Sequence, residues 1–169
     1  MAKKLKILIF PDPRLRKVAE KVIKFDKSQQ KLADNMFLTM YEANGIGLAA
    51  TQVDEHIRLI VMDLSEERND PRIFINPEYK VLEGHSFFEY EEGCLSIPGF
   101  NEKISRPDKI ELKWQDINGK EHISELEGLL TVSIQHEIDH LEGKLMVDYV
   151  SALKRDRVRN KLLKEYKRK

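Results

Sequence analysis

Residues 135–140 read QHEIDH and lie within a segment whose apolar residues repeat with the period of a helix. His136 and His140 are four residues apart, so on a helix both imidazoles can reach one metal ion. Glu137 is rotated about 100° from His136, which disfavours it as a third ligand but lets it reach a metal-bound water. The pattern therefore indicates metal-assisted hydrolysis. The alternative is a helix with two surface histidines.

The helix that carries this pattern is predicted over residues 128–142, with Gly143 as its C-cap. One face is apolar, and Val132 lies on the opposite side with the two histidines. Few positions are left for solvent, so we expect a central, buried helix. The apolar face consists of Leu130, Ile134, Ile138 and Leu141.

Periodicity elsewhere predicts two further helices and several short strands. One helix covers residues 26–43, begins with a capping box at Asp26 and Gln29, and stops at Asn44-Gly45; another covers 152–169. We expect an α+β fold, with mixed, mainly antiparallel sheets packed around the central histidine-bearing helix. The predicted strands are 57–63, 72–76, 87–92, 109–115 and 122–126, the last two joined by a turn at Asn118-Gly119.

Composition excludes several classes of protein. The 169 residues include 29 basic and 29 acidic ones, so the chain is neither uniformly basic nor an acidic disordered tail. Cys94 is the single cysteine, so no intramolecular disulfide can form. No apolar run approaches the roughly 20 residues that span a bilayer, and the N-terminus lacks a signal-peptide pattern. We expect a cytoplasmic protein that binds neither membrane nor DNA.

A catalytic metal site needs a third protein ligand. In the long HExxHxxGxxH pattern a third histidine would stand three residues after Gly143, where this chain has Met146. Glu142 and Asp148 are possible carboxylate ligands, but both lie close to the end of the helix. Cys94, which follows a predicted strand and Gly93, is the preferred third ligand, although a lone cysteine is often only a small buried side chain.

Residues 45–52 read GIGLAATQ, two glycines among small apolar residues that end in an amide. Neither a Lys-Ser/Thr pair nor the third glycine of a dinucleotide site follows, which excludes a phosphate loop. The stretch suits a tight apolar pocket in which Gln52 donates a hydrogen bond to a substrate oxygen. A helix stop followed by a core strand would look similar.

Taken together and in order, three segments resemble the signatures of the peptide deformylase family. These are GIGLAATQ at residues 45–52, EGCLS at 92–96 and QHEIDH at 135–140, and the resemblance covers roughly residues 5 to 150. It implies a catalytic domain over residues 1–150 followed by a basic helix at 151–169. Many members of the family have a glycine at the position of Asp54. An aspartate can adopt the left-handed backbone conformation that a glycine would take there.

The resemblance implies removal of the formyl group from N-formylmethionyl nascent peptides, with release of formate. It assigns the metal to Cys94, His136 and His140, and the transfer of protons to Glu137. The Gln52 amide and the backbone N–H of Leu95 would hold the developing oxyanion. The positions implied to bind substrate are Ile46, Gly47, Gly93, Leu95, Val132 and Ser133, with His136 beside the methionine pocket.

The family usually uses Fe²⁺, with Zn²⁺, Ni²⁺ or Co²⁺ as substitutes, so the resemblance implies iron. A Cys-His-His donor set by itself suits zinc at least as well. Three alternatives compete with this reading: a zinc peptidase with an unrecognised carboxylate ligand, a structural metal module, and a binding protein that has lost activity.

Charged residues predict one ion pair near Cys94 and one basic segment at the C-terminus. Glu92 and Arg106 flank the loop that carries Cys94, so we expect them to form an ion pair behind it. Residues 154–169 contain nine basic and two acidic residues and carry +7, which leaves −7 on residues 1–153. A solvated helix end would explain the tail, but a basic helix also suits a phosphate backbone. The resemblance implies docking to ribosomal RNA.

Overall fold

The computed structural model describes residues 1–166, which form three α-helices and seven β-strands. The helices are α1 (Lys27–Glu42), α2 (Leu129–Leu141) and α3 (Ala152–Tyr166). The strands are β1 (Gly47–Ala49), β2 (Leu59–Met62), β3 (Arg72–Val81), β4 (Phe87–Gly93), β5 (Asn101–Pro107), β6 (Lys109–Gln115) and β7 (Glu121–Glu127). The α+β prediction is confirmed. The last three residues of the predicted final helix, 167–169, lie outside the described part.

The strands form two sheets. Five of them are ordered β1-β2-β3-β6-β7, and β4 pairs with β5 in a separate two-stranded sheet. Within residues 1–166 every pairing of these strands is antiparallel, and an isolated bridge between Glu20 and Ile57 is parallel. Strand β5 was not predicted from the sequence.

A helix covers each face of the large sheet around β2. Successive side chains of a strand point to opposite faces, so adjacent residues enter different cores. Leu59 packs in the cluster that contains Met36 of α1, whereas Ile60 packs in the cluster that contains Ile134 of α2. All four residues of β2 are buried, which explains its continuous apolar sequence.

Helix α2 lies at the centre of the molecule, as predicted. It contacts β1 and β7 of the large sheet and β5 of the small one. Every residue from Ile134 to Leu141 is buried, so the tertiary packing overrides the poor helix propensity of Thr131 and Val132. The histidines of α2 are therefore held inside the molecule, between the two sheets.

Candidate metal centre

Cys94, His136 and His140 meet at one point. His140 Nε2 lies 3.4 Å from Cys94 Sγ and 3.2 Å from His136 Nε2. The three donor atoms are within 4.8 Å of one another, and both histidines are buried. Two imidazoles and a thiol, converging from α2 and from the residue after β4, form a donor set that suits a transition-metal ion.

The two carboxylates kept as alternative third ligands are engaged elsewhere. Glu142 forms an ion pair with Arg58. Asp148 accepts hydrogen bonds from Arg16 at 2.6 and 2.9 Å and from the backbone N–H of Leu145 at 3.0 Å. The structure therefore favours Cys94 as the third donor.

The second ring nitrogen of His136 is held by a buried carboxylate. His136 Nδ1 lies 2.8 Å from Glu92 Oε1, which leaves Nε2 directed at the cluster. Arg106 donates to Glu92 at 2.6 and 2.9 Å, so the predicted ion pair between them is confirmed. Burial alone would raise the pKa of Glu92, but hydrogen bonds from His136 and Arg106 lower it below its usual value. A carboxylate that fixes the second ring nitrogen of a histidine is typical of histidines that bind a metal ion.

The network continues beyond the predicted pair. Arg106 Nη1 donates to Asp139 Oδ2 at 2.9 Å, and the Tyr149 hydroxyl donates to the same oxygen at 2.6 Å. The guanidinium also lies 4.9 Å from the centre of the Tyr149 ring. Burial and the bond to Asp139 raise the pKa of Tyr149, so it remains a proton donor. Sequence reasoning missed Asp139 and Tyr149; the position of Asp139 inside QHEIDH was the available signal.

Glu137 projects from α2 into the same region and is 6% exposed. Its Oε2 atom has no hydrogen-bond partner among the described residues. Burial raises the pKa of this carboxyl to about 7. A carboxyl with one free oxygen and a pKa near neutrality can both accept and return a proton.

The two glycines of the 45–52 loop make room for functional side chains. A Cβ on Gly45 would lie 2.7 Å from Leu95 Cδ1, and one on Gly47 would lie 2.7 Å from Glu137 Oε1. Side chains at these positions would displace the residues that face them. The two glycines are therefore explained by the close approach of Leu95 and Glu137, and no phosphate loop is needed to account for their spacing.

Hydrogen bonds fix the direction of the Gln52 amide. Its Oε1 atom accepts from the backbone N–H of Ala49 at 2.9 Å, so Nε2 points the other way. Nε2 lies 3.0 Å from Ser96 Oγ and 3.6 Å from Cys94 Sγ. Gln52 therefore presents an N–H donor beside Cys94 and the two histidines. Ser96, which helps to hold it, was not predicted.

A cavity of about 530 Å³ opens beside the cluster. Cys94, His136, Glu137 and Gln52 line it, as do all six positions that the resemblance assigned to substrate. Tyr90 and Pro98 also line it and were missed by sequence reasoning. The six positions are Ile46, Gly47, Gly93, Leu95, Val132 and Ser133.

An α+β fold whose central helix presents an HExxH pattern to a thiol donor and an open cavity defines a metal-dependent hydrolase. The family model described as "Polypeptide deformylase" matches residues 4–156. This chain belongs to the peptide deformylase family, whose members remove the N-formyl group from nascent polypeptides. The predicted resemblance is thereby confirmed, and the peptidase and structural-module alternatives are set aside.

Individual relatives agree with the family match. The peptide deformylase of Pseudomonas aeruginosa is 56% identical over 163 residues, which are 96% of each chain, and that of Stutzerimonas stutzeri is 58% identical over 160 residues, 95% of each. A crystal structure of the Ehrlichia chaffeensis enzyme in complex with actinonin superposes with a TM-score of 0.91 at 40% identity, covering 97% of this chain and 98% of that one. For the Legionella pneumophila enzyme the TM-score is 0.88 at 45% identity, covering 98% and 96%.

Asp54, at a position where many family members have glycine, adopts the expected left-handed conformation, with φ 65°.

Across residues 1–166, no helix combines the length and apolar character needed to cross a bilayer.

Proposed function

We propose that Cys94, His136 and His140 hold the metal ion of this deformylase and that Glu137 transfers the protons of the reaction. The observation that carries this proposal is the buried Glu137 carboxyl: it has one oxygen without a hydrogen-bond partner among the described residues, and Glu137 lines the cavity beside the three converging donors. Cys94 comes from the segment after β4, whereas His136, Glu137 and His140 come from two successive turns of α2, and the fold brings them together.

A bound divalent ion supplies Lewis acidity, which lowers the pKa of a water molecule and polarises the formyl oxygen. Glu137 takes a proton from the attacking water and returns it to the amine nitrogen as the formyl C–N bond breaks. Formate and a free N-terminal methionine result. The Gln52 amide and the Leu95 backbone N–H donate to the oxygen that gains negative charge.

The remaining cavity residues would bind the formylmethionyl chain. Val132 is buried and Ile46 is 45% exposed, and both line the cavity, so they offer apolar contacts to a methionine side chain. Gly47 and Gly93 bring backbone close to the cleft from β1 and β4, where the nascent chain can add as an extended strand. The methionine pocket is assigned to Ile46, Leu95, Val132, Ser133 and His136.

We assign Fe²⁺ as the physiological ion on family grounds, with Zn²⁺, Ni²⁺ and Co²⁺ as functional substitutes. Anaerobic purification followed by elemental analysis and a formate-release assay on the same sample tests this assignment. An anaerobic sample that contains zinc and no iron at full activity would contradict it.

The general-base role is tested by Glu137→Gln. The amide keeps the size of the side chain but cannot shuttle a proton, so metal content should be retained while turnover of formyl-Met-Ala falls by about 10²-fold or more. Formate release within a few-fold of the parent would show that another group moves the proton.

The third ligand is tested by Cys94→Ala, which should lower metal content and activity together. Ser96→Ala is a matched control for metal content, which it should leave close to that of the parent, since it removes a neighbouring polar atom that is not one of the three donors. If Cys94→Ala binds metal as the parent does, the ligand assignment is wrong.

We also propose a cytoplasmic location and a ribosomal partner. Residues 154–169, the basic part of the predicted C-terminal helix, carry +7, and Arg159, Lys161 and Lys164 are exposed on α3. A cationic helix face binds a phosphate backbone with strong salt dependence. Docking of this face on ribosomal RNA would hold the cavity near emerging chains.

Neutralisation tests this partner without removing the helix. Replacing Arg159, Lys161 and Lys164 by Gln should weaken co-sedimentation with ribosomes and leave turnover of free formyl-peptide unchanged. The control removes the same charge from exposed positions outside α3, through Gln at Lys21, Lys27 and Lys31. Equal ribosome binding by the two triple variants, or binding that is insensitive to salt, would overturn the proposal.

A further inference from the structure

We propose that Tyr149 and Asp139 are positioning residues for His136, acting on it through Arg106 and Glu92. The inference rests on the proposed metal centre, because it concerns the orientation of one of the ligands. It extends the site to a residue that lies outside the three signature segments, in the 3₁₀ turn Met146–Tyr149 between α2 and α3.

A continuous series of short hydrogen bonds joins Tyr149 to the cluster. The Tyr149 hydroxyl lies 2.6 Å from Asp139 Oδ2, which accepts from Arg106 Nη1 at 2.9 Å. Arg106 Nε and Nη2 lie 2.6 and 2.9 Å from the two oxygens of Glu92. Glu92 Oε1 lies 2.8 Å from His136 Nδ1. His136 Nε2 then faces Cys94 and His140.

Because the series is buried, the orientation of each side chain in it depends on the side chain to which it is hydrogen-bonded. The side chains of Arg106 and Glu92 are both 4% exposed, so water cannot readily replace a lost partner. Arg106 divides its donors between two carboxylates, and its angle is set by where both of them lie. If Asp139 turns, the guanidinium turns with it, and Glu92 no longer holds the imidazole at the same tilt.

Tyr149 makes two contacts that can be separated by mutation: its hydroxyl belongs to the proposed positioning series, and its ring packs against Arg106. The residue is 48% exposed overall, yet its hydroxyl reaches the network around Asp139. Its ring lies over the Arg106 guanidinium at 4.9 Å and would stay there in a phenylalanine. Tyr149→Phe therefore removes the bond donated to Asp139 and the longer bond of 3.5 Å accepted from Arg106 Nη1, while it keeps the ring contact.

Tyr41→Phe provides a matched control. The Tyr41 hydroxyl also donates to a carboxylate at 2.6 Å, in this case Asp63, and Tyr41 does not line the cavity. Both variants lose one short bond from a tyrosine to an aspartate, so both should lower the melting temperature. A purely structural role for Tyr149 predicts that the two variants match in every other respect.

The measurement is the rate at which a chelator removes Zn²⁺ from the loaded protein. Loss of the residue that bonds a metal-binding histidine typically costs about 10- to 100-fold in metal affinity or activity. Tyr149 acts through three intervening residues, so Tyr149→Phe should release Zn²⁺ about threefold faster, below the effect of losing a direct partner. Its kcat should fall with KM for formyl-Met-Ala within about twofold of the parent, and the visible absorption bands of the Co²⁺-loaded protein should shift. Tyr41→Phe should leave all three properties as in the parent.

Asp139→Asn gives a second, independent test, since it keeps the size of the acceptor and removes its charge. It should change metal release and the Co²⁺ bands in the same direction. If Tyr149→Phe and Asp139→Asn both match Tyr41→Phe, the positioning role is overturned. That outcome differs from failure of the metal centre itself, in which Cys94→Ala would retain the metal.

Discussion

Gly47 gives the Glu137 carboxylate its place in the cavity. Because a Cβ there would lie 2.7 Å from Glu137 Oε1, Gly47→Ala should push the carboxylate aside without disturbing backbone. We expect metal content close to that of the parent. Turnover should fall by about tenfold or more, since Glu137 is the proposed proton carrier and a small misplacement of such a group is costly. Formate release and elemental analysis on one sample measure both.

Gly84→Ala separates this effect from a general loss of stability. Gly84 adopts φ +74°, which strains an alanine, but a Cβ there meets nothing within 4 Å. We expect the unfolding free energy to fall by about 1 kcal/mol while turnover is unchanged. Full activity in Gly47→Ala would show that the carboxylate has room to adjust.

At the scale of residues, the sequence predicted those parts of the site that depend on local geometry. The two histidines follow from one turn of helix, and Cys94 follows from its neighbours and from the family resemblance. The link from Arg106 to Asp139 spans 33 residues and needs β5 packed against α2. Sequence spacing carries no information about such a contact, so Asp139 and Tyr149 were missed.

The start of α1 offers a test at the scale of elements. Asp26 accepts from the backbone N–H of Ser28 at 2.8 Å, and Gln29 Oε1 accepts from the backbone N–H of Asp26 at 2.8 Å, which confirms the predicted capping box. Asp26→Ala should lower the unfolding free energy by about 1 kcal/mol and leave turnover unchanged. Asp34→Ala, at an exposed position within the same helix, should change it by less than about 0.5 kcal/mol.

The hairpin between β6 and β7 should make stability depend on pH. Asp116 accepts from His122 Nε2 at 2.8 Å and from the backbone N–H groups of Asn118 and Lys120 at 2.9 and 3.1 Å. The bond from His122, followed by these backbone bonds, lowers the pKa of Asp116 below its usual value of 3.8, although burial opposes the shift. The unfolded chain therefore binds this proton at higher pH than the folded one, and acid removes the stabilisation.

Urea unfolding of the parent and of Asp116→Asn across pH 7 to 3 tests this sign. The parent should be more stable near neutrality, and the difference should shrink as the pH falls from the usual aspartate value through the lowered one. Subtracting the two profiles removes the contributions of other carboxyls. A difference that grows in acid would contradict the assignment.

The elements that sequence reasoning misjudged have identifiable causes. Strand β5 contains mostly polar residues, and Arg106 looks exposed unless its buried partners are known. Strand β3 continues past the predicted end at Asn76, since a register shift between Ile75 and Glu78 accommodates Pro77, which has no N–H to donate. Asn76 takes a positive φ of 50° at this irregularity.

At the scale of the whole molecule, the two ends of the chain differ in charge, yet the basic C-terminal helix packs against the acidic remainder. Residues 1–153 carry −7 and residues 154–169 carry +7. Leu162 of α3 nonetheless packs with Phe10, Ile97 and Ile104 in one hydrophobic cluster. The division of the chain at residue 150 stays a prediction, and α3 shares its core with the residues that precede it.

Leu162→Ala tests how much α3 contributes to the stability of that shared core. Leu162 is 2% exposed, so its truncation should lower the unfolding free energy by about 2–5 kcal/mol, a large part of the stability of a domain this size. Leu153→Ala makes the same chemical change on the same helix at a position 63% exposed, and should cost less than about 0.5 kcal/mol. Urea unfolding of both variants gives the comparison. Equal effects would mean that burial of Leu162 does not hold α3 against the rest of the molecule, and the shared core would then contribute little to the attachment of this helix.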